Sequence, residues 1–152
     1  SPDLQGQYLA RELLFNLSQR IPLSIWYDWH DDGPDVKEPE HHFGTILYET
    51  REPKPAYLAA RTLTTQLDGF TFSERLPMKK PEDFALLFTQ GDQHRVVAWS
   101  TIAEPHAEAL PLTPGTFRVI SRLGKFEGTV RSGESGISTS LTDAPQYFVP
   151  ER

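Results

Sequence analysis

Proline and glycine impose the strongest constraint on this chain, because they interrupt regular structure every few residues. The 152 residues include 13 prolines and 10 glycines, and both residue types mark turns and the ends of helices and strands. Between these interruptions, the spacing of apolar residues changes near residue 70 from a helical period to an alternating one. The change predicts an α/β segment over residues 1–69 and an antiparallel β-sandwich over residues 70–152.

Composition excludes several classes of protein. Hydrophobic residues make up 38% of the chain, which is enough apolar side chain for a packed core and argues against wholesale disorder. The formal net charge of −6 repels phosphates, so we expect no nucleic-acid partner. No apolar run is long enough to span a bilayer, and we expect no membrane partner. The chain has no cysteine, and therefore neither disulfides nor thiolate metal ligands.

The first 69 residues alternate between helix and strand. Apolar residues at intervals of four predict an amphipathic helix over residues 4–19. A short run of β-branched and aromatic residues predicts a buried strand over residues 21–29, and a polar loop follows it over residues 30–40. A second helix is predicted over residues 55–67, and Pro53 and Pro55 suit its first turn.

The remaining residues predict several short strands separated by glycine- and proline-containing turns. Strands of this length with this punctuation are typical of an antiparallel sheet or sandwich. The predicted strands cover residues 70–74, 83–89, 95–100, 107–112, 116–121, 129–131 and 136–141.

The candidate site lies at the carboxyl end of the predicted first strand, where aromatic and acidic side chains follow one another. Exposed tryptophan rings suit the C–H faces of sugars, and carboxylates accept hydrogen bonds from hydroxyl groups. Because side chains alternate along a strand, Trp26 and Trp29 are predicted to lie on opposite faces. The alternative is that both tryptophans belong to the core and the acids to a solvated loop.

Histidines near this strand raise the question of a metal site. Glu40, His41 and His42 follow His30 and Asp31 within a few residues. Adjacent histidines on a loop do not share the single-face geometry of a helical H-x-x-x-H pair. We therefore expect hydrogen-bonding loop histidines, and neither a metal ion nor a cofactor.

Four motifs, taken in order, resemble the end of a clan A glycoside hydrolase. The chain reads I-P-L-S-I-W-Y-D-W over residues 21–29, E-H-H-F-G over 40–44 and K-P-A-Y over 54–57. These segments resemble the eighth strand, the following loop and the last helix of cellulase-like and family 39-like barrels. The tail, L-T-D-A-P-Q-Y-F over residues 141–148, resembles the last strand of the β-sandwich attached to many such barrels.

The resemblance implies an α/β plus all-β fold, and it implies that the catalytic residues and this chain belong to different segments of the enzyme. Residues 1–69 would be the last helix-strand-helix units of a (β/α)8 barrel, and residues 70–152 an accessory antiparallel β-sandwich. The family uses a retaining mechanism, in which two glutamates lie about 5–5.5 Å apart. The helix resembling residues 5–19 directly follows the nucleophile in the family, which places both glutamates upstream of Ser1.

The implied function is therefore the C-terminal portion of a retaining glycoside hydrolase acting on β-linked glycans, without a catalytic residue of its own. Its expected partners are a carbohydrate substrate and an N-terminal barrel segment or chain carrying the glutamates. A single barrel strand with two helices also leaves both strand edges unpaired, which favours such a partner. The resemblance further favours secretion or the periplasm. The expected substrate-binding residues are Trp26, Trp29, Asp28, His30, Asp31 and His42.

Two other functions stay open from the residues themselves. A non-catalytic carbohydrate-binding β-sandwich with an α/β preface would bind saccharide as an isolated chain. A structural or interaction subunit would use the aromatic cluster as interface core, so that replacing either tryptophan would damage assembly rather than kinetics.

Overall fold

A six-stranded antiparallel sheet organises the computed structural model, which describes residues 1–151. Residue 152, the last of the predicted sandwich, lies outside the described residues. Neither described α-helix is long and apolar enough to cross a membrane. The helices are α1, Pro2–Ser18, and α2, Pro55–Leu67, with a 3-10 helix at Pro39–His42. The strands are β1, Thr71–Arg75; β2, Asp83–Gln90; β3, Gln93–Ser100; β4, His106–Leu110; β5, Gly115–Ser121; β6, Phe126–Ser132; β7, Ile137–Leu141; and β8, Gln146–Pro150.

Helix α1 has the terminal residues that its sequence predicts. The Ser1 hydroxyl accepts a hydrogen bond from the Leu4 amide at 3.3 Å, and Pro2 occupies the first helical turn. At the other end Arg20 has a φ of 56° and the Ile21 amide donates to the Asn16 carbonyl, which closes the last turn.

The two helices pack closely because α1 carries a glycine where they meet. A Cβ atom added at Gly6 would lie 2.9 Å from the Pro55 carbonyl carbon. Any larger residue at this position would push α2 away, so Gly6 sets the spacing of the helix pair.

The strands follow the order β1-β2-β3-β8-β5-β6, and β4 pairs with β7 in a separate two-stranded sheet. All seven strands predicted over residues 70–141 are present, with ends that differ by no more than three residues. The eighth strand, β8, was indicated only by the resemblance of the tail. It lies at the centre of the large sheet, where Tyr147 faces Val97 on β3 and Ile120 on β5.

Both faces of the six-stranded sheet are apolar and both are covered. On one face Leu86 and Trp99 pack with residues of the two helices, including Leu14 and Leu63. On the other face Ala85 and neighbouring residues pack with apolar residues of β4 and β7. The result is three layers, with the helices on one side of the sheet and the β4–β7 pair on the other.

The prediction of a strand over residues 21–29 is wrong. These residues follow an irregular path and pair with no strand among the described residues. A strand needs a neighbour to satisfy its backbone groups, and all eight strands within residues 1–151 lie after residue 70. Leu23 and Ile25 are consequently 71% and 80% exposed, although apolar.

Packing of α1 on the sheet is testable with a pair of leucines in one helix. Leu14 is fully buried in the cluster shared with the sheet, whereas Leu17 is 39% exposed. We expect Leu14→Ala to lower the free energy of unfolding by about 2–5 kcal/mol through loss of burial and a residual cavity. The control Leu17→Ala should cost less than about 1 kcal/mol.

Urea unfolding of both variants, followed by circular dichroism and by hydrogen exchange of the β2 and β3 amides, measures this difference. Lower protection of the strand amides in Leu14→Ala is the expected result, because the cluster includes both helix and sheet. Unchanged strand protection would show that α1 and the sheet are energetically independent.

Candidate functional site

Exposure alternates along the irregular segment that follows α1. Leu23, Ile25, Tyr27 and Trp29 are 71%, 80%, 60% and 67% exposed, and we refer to these four side chains as the exposed apolar row. The even-numbered residues between them are half-buried. The peptide bond between Tyr27 and Asp28 is cis. Four exposed apolar side chains within seven residues indicate a contact surface, because monomers rarely leave large apolar patches uncovered.

The two tryptophans lie in different environments. Trp26 is half-buried, and its indole N–H donates to the Phe43 carbonyl at 3.3 Å. Trp29 leaves two thirds of its surface in solvent, and its ring meets the edge of Tyr57 on α2 at a centroid distance of 5.8 Å. The Thr45 hydroxyl donates to the Trp29 carbonyl at 2.7 Å and fixes the backbone there. Trp29 therefore offers an aromatic face, whereas Trp26 is held against the protein.

Asp28 borders an open cleft between the helices and this segment. The cleft has a volume of about 430 Å³ and is lined by Trp26, Trp29, Tyr57 and Arg61 among other residues. One carboxylate oxygen of Asp28, Oδ1, is buried and has no hydrogen-bond partner among the described residues. Burial, and next the negative charge of Asp32, raise the pKa of Asp28. A carboxyl group beside two aromatic rings suits a hydroxyl-rich ligand.

Asp31 is placed in a buried ion pair rather than at an open surface. Its carboxylate lies 2.8 Å from the Lys54 ammonium, and both side chains are about 95% buried. Lys54 also donates to the His42 carbonyl at 2.9 Å. A Cβ atom at Gly44 would lie 2.0 Å from the Asp31 amide nitrogen, so only glycine fits beside it. This cluster holds the loop after Trp29 against the start of α2.

The two histidines of the predicted site, His30 and His42, and the neighbouring His41 make different contacts. The His42 ring nitrogen Nε2 lies 3.0 Å from the Asp35 carbonyl, and Nδ1 of His41 accepts from the Asp35 amide at 3.2 Å. His30 packs its ring edge on Tyr48 at 6.5 Å. Within residues 1–151, these histidines are not gathered with carboxylates into a potential metal cluster.

Tyr27 belongs to this surface although the sequence reasoning omitted it. Its ring packs on the edge of Phe43, and its hydroxyl donates to Asp32 at 3.3 Å. The negative charge of Asp32 raises the pKa of Tyr27. The alternation of side-chain directions used for Trp26 and Trp29 could have identified Tyr27, because Tyr27 lies two positions before Trp29.

Comparison with known proteins gave matches among solved structures only. No protein-family model matches the chain, and no curated protein matches it. A family 39 glycoside hydrolase from the gut symbiont Bacteroides cellulosilyticus WH2 is similar over 96% of this chain, with a TM-score of 0.79 and 28% identity. A family 30 endoxylanase from Clostridium papyrosolvens C71 is similar over 72%, with a TM-score of 0.59 and 8% identity. A family 30 subfamily 8 xylanase from Clostridium acetobutylicum is similar over the whole chain, with a TM-score of 0.67 and 11% identity.

The chain spans only part of each of these enzymes. It corresponds to 30% of the family 39 protein and to 31% and 40% of the two family 30 proteins. The family 30 likenesses show the fold alone, given their low identities. Together the matches confirm the resemblance to clan A glycoside hydrolases and the predicted fold class, a barrel remnant followed by a β-sandwich.

The buried ion pair gives a test of what holds the site loop. We expect Lys54→Met to lower the free energy of unfolding by about 3–5 kcal/mol, because Asp31 is left as an unpaired buried charge. The matched control Lys37→Met, at an exposed position, should stay within about 0.5 kcal/mol of wild type. Thermal and urea unfolding measure both, and equal losses in the two variants would contradict a stabilising role for the pair.

Proposed function

We propose that this chain is the C-terminal portion of a retaining glycoside hydrolase that acts on β-linked glycans. The observation that carries the proposal is the match to the family 39 enzyme, which extends over 96% of this chain at 28% identity. Because the chain spans 30% of that enzyme, the proposal assigns the two catalytic glutamates to a preceding segment or chain. Retention needs those carboxyl groups about 5–5.5 Å apart.

The exposed apolar row supports the proposal that a preceding segment packs against this chain. Leu23 and Ile25 are each more than 70% exposed, so the described part of the chain leaves both side chains largely in water. Covering an aliphatic side chain of this size is worth about 1.5–3 kcal/mol. A preceding barrel segment that lies along residues 21–29 would cover these side chains and supply the missing backbone partners.

In this function Trp29 and Tyr27 stack on the sugar, and polar groups beside them bind its hydroxyls. Both rings are exposed on the same row, and Asp28 and His30 flank Trp29 in the chain. Asp28 lines the same cleft as Trp29. Stacking also holds the anomeric carbon in place for the nucleophile of the preceding segment, and such positioning lowers the barrier to attack. Trp26, Asp31 and His42 support the loop that carries these groups.

Activity should depend on the preceding segment. We expect the 152-residue chain alone to hydrolyse no aryl β-glycoside, and activity to appear when it is co-expressed with the N-terminal barrel segment. The reason is that the proposal places both reacting carboxylates outside this chain. Release of the aryl alcohol, measured for each preparation, checks this.

The same preparations separate the other two functions. Turnover by the highly purified chain alone would move the reacting carboxyls to Asp28, Asp31 or Glu40 and contradict the proposal. Saccharide binding by the isolated chain, without activity in the complete assembly, would favour a carbohydrate-binding module. Assembly without either property would favour a structural subunit.

Substitution of Trp29 is expected to affect catalysis, and substitution of Trp26 is expected to affect stability. In the complete assembly, Trp29→Ala should lower kcat/KM by at least about tenfold, or ~1.4 kcal/mol, through loss of the stacking platform. Trp26→Ala should mainly lower thermal stability, because its ring is half-buried and its N–H bonds to Phe43. Steady-state kinetics per folded molecule, with melting curves for both variants, measure the two effects. Normal kinetics in Trp29→Ala would exclude the stacking role.

A further inference from the structure

Three residues with metal-ligand side chains meet at the junction of the two sheets. Asp83 is the first residue of β2, and His106 and Glu108 lie on β4. Because they are two positions apart, His106 and Glu108 point to the same face of their strand. One ligand atom from each of the three residues lies within 4.8 Å of the others. This is the only such group of three within residues 1–151.

The histidine ring is oriented in the way that metal ligands are. Its Nδ1 lies 3.2 Å from the Glu104 carbonyl, to which it can donate its proton. The other nitrogen, Nε2, then faces the carboxylate of Asp83 at 3.0 and 3.1 Å. A ligating histidine usually donates its second N–H to a carbonyl or carboxylate, which fixes the tautomer and directs the free lone pair at the ion.

Glu108 is the member of the group with the fewest protein partners. Asp83 is fully buried and Glu108 is 6% exposed. Glu108 accepts a hydrogen bond only from the amide of its neighbour Ala109, at 3.1 Å, and makes no ion pair with a basic residue of the described chain. One Glu108 oxygen therefore has no protein partner among the described residues and keeps its capacity to bind a cation.

We propose that Asp83, His106 and Glu108 bind one divalent transition-metal ion of the Zn²⁺ class and so tie β4 to β2. One imidazole nitrogen and two carboxylate oxygens suit Zn²⁺ or Mn²⁺ better than Ca²⁺, which prefers oxygen alone. An ion about 2.1 Å from each ligand atom places neighbouring ligands roughly 3.0–3.4 Å apart. The Asp83–His106 spacing already meets this condition, and a Glu108 oxygen lies within 4.8 Å of both. This site does not depend on the proposed hydrolase function.

Calorimetric titration of the chelator-treated 152-residue chain with Zn²⁺, and separately with Mn²⁺, tests the site. Metal ligands must be deprotonated to bind the ion, so the titration is made at about pH 8. We expect one equivalent to bind and Tm to rise with metal concentration. Glu108→Gln and His106→Gln should each weaken binding by at least about tenfold.

Two controls locate the ion. Glu104→Gln removes an exposed acid near the site but keeps the carbonyl that orients His106, and should bind as wild type does. The double variant His41→Gln with His42→Gln should also bind normally. Imidazole NMR of the wild-type chain, which needs no variant to fold, should show that Zn²⁺ shifts the His106 ring signals. An absence of binding, or binding lost in the loop double variant but kept in Glu108→Gln, overturns the proposal.

Discussion

The six-stranded sheet has apolar side chains on both faces, and most of the architecture follows from the need to cover them. Strand β2 alternates residue by residue, with Leu86 and Phe88 in the cluster shared with the helices and Ala85 in the opposite one. Burial of apolar surface is the main favourable contribution to folding. The sheet is therefore stable only with α1 and α2 on one face and the β4–β7 pair on the other. The helices and the strands consequently share one core, although they come from different halves of the chain.

The helices cannot cover everything that is apolar in the first 69 residues. One side of α1 packs against the sheet and α2. On its other side, Leu4, Tyr8 and Phe15 are between 40% and 54% exposed. These side chains and Trp26 line an open groove of about 700 Å³ that continues onto the sheet at Phe84. The exposed apolar row adds a second uncovered surface. The exposed apolar side chains of both surfaces belong to the part of the chain that resembles a barrel remnant. On the described sandwich, Phe126 is the one large apolar side chain in solvent.

Local patterns were sufficient to predict most elements of the fold. Serine, proline and aspartate residues predicted the start of α1. Turn residues predicted the ends of seven strands to within three residues of their positions in the structure. The segment over residues 21–29 has the composition of a strand but no partner in this chain, and pairing cannot be seen in composition. The Asp31–Lys54 pair and the Asp83–His106–Glu108 group join residues 23 or more positions apart. No spacing rule for short motifs detects such contacts, so the sequence indicated the site region but not the bonds within it.

A chain of polar contacts links the sandwich to the candidate site. Arg122, buried just after β5, pairs with Asp3 in the first turn of α1. Two residues further along α1, the Gln5 side-chain amide donates to the Phe43 and Gly44 carbonyls at 2.8 and 3.1 Å.

Those carbonyls belong to the loop that also receives the indole N–H of Trp26 and lies against Asp31. A polar side chain that bonds several backbone carbonyls fixes a loop more firmly than packing alone, because each bond is directional. The position of the loop relative to the sheet is thus set through the first turn of α1. The β-sandwich, which carries none of the expected sugar contacts, still determines where those contacts lie.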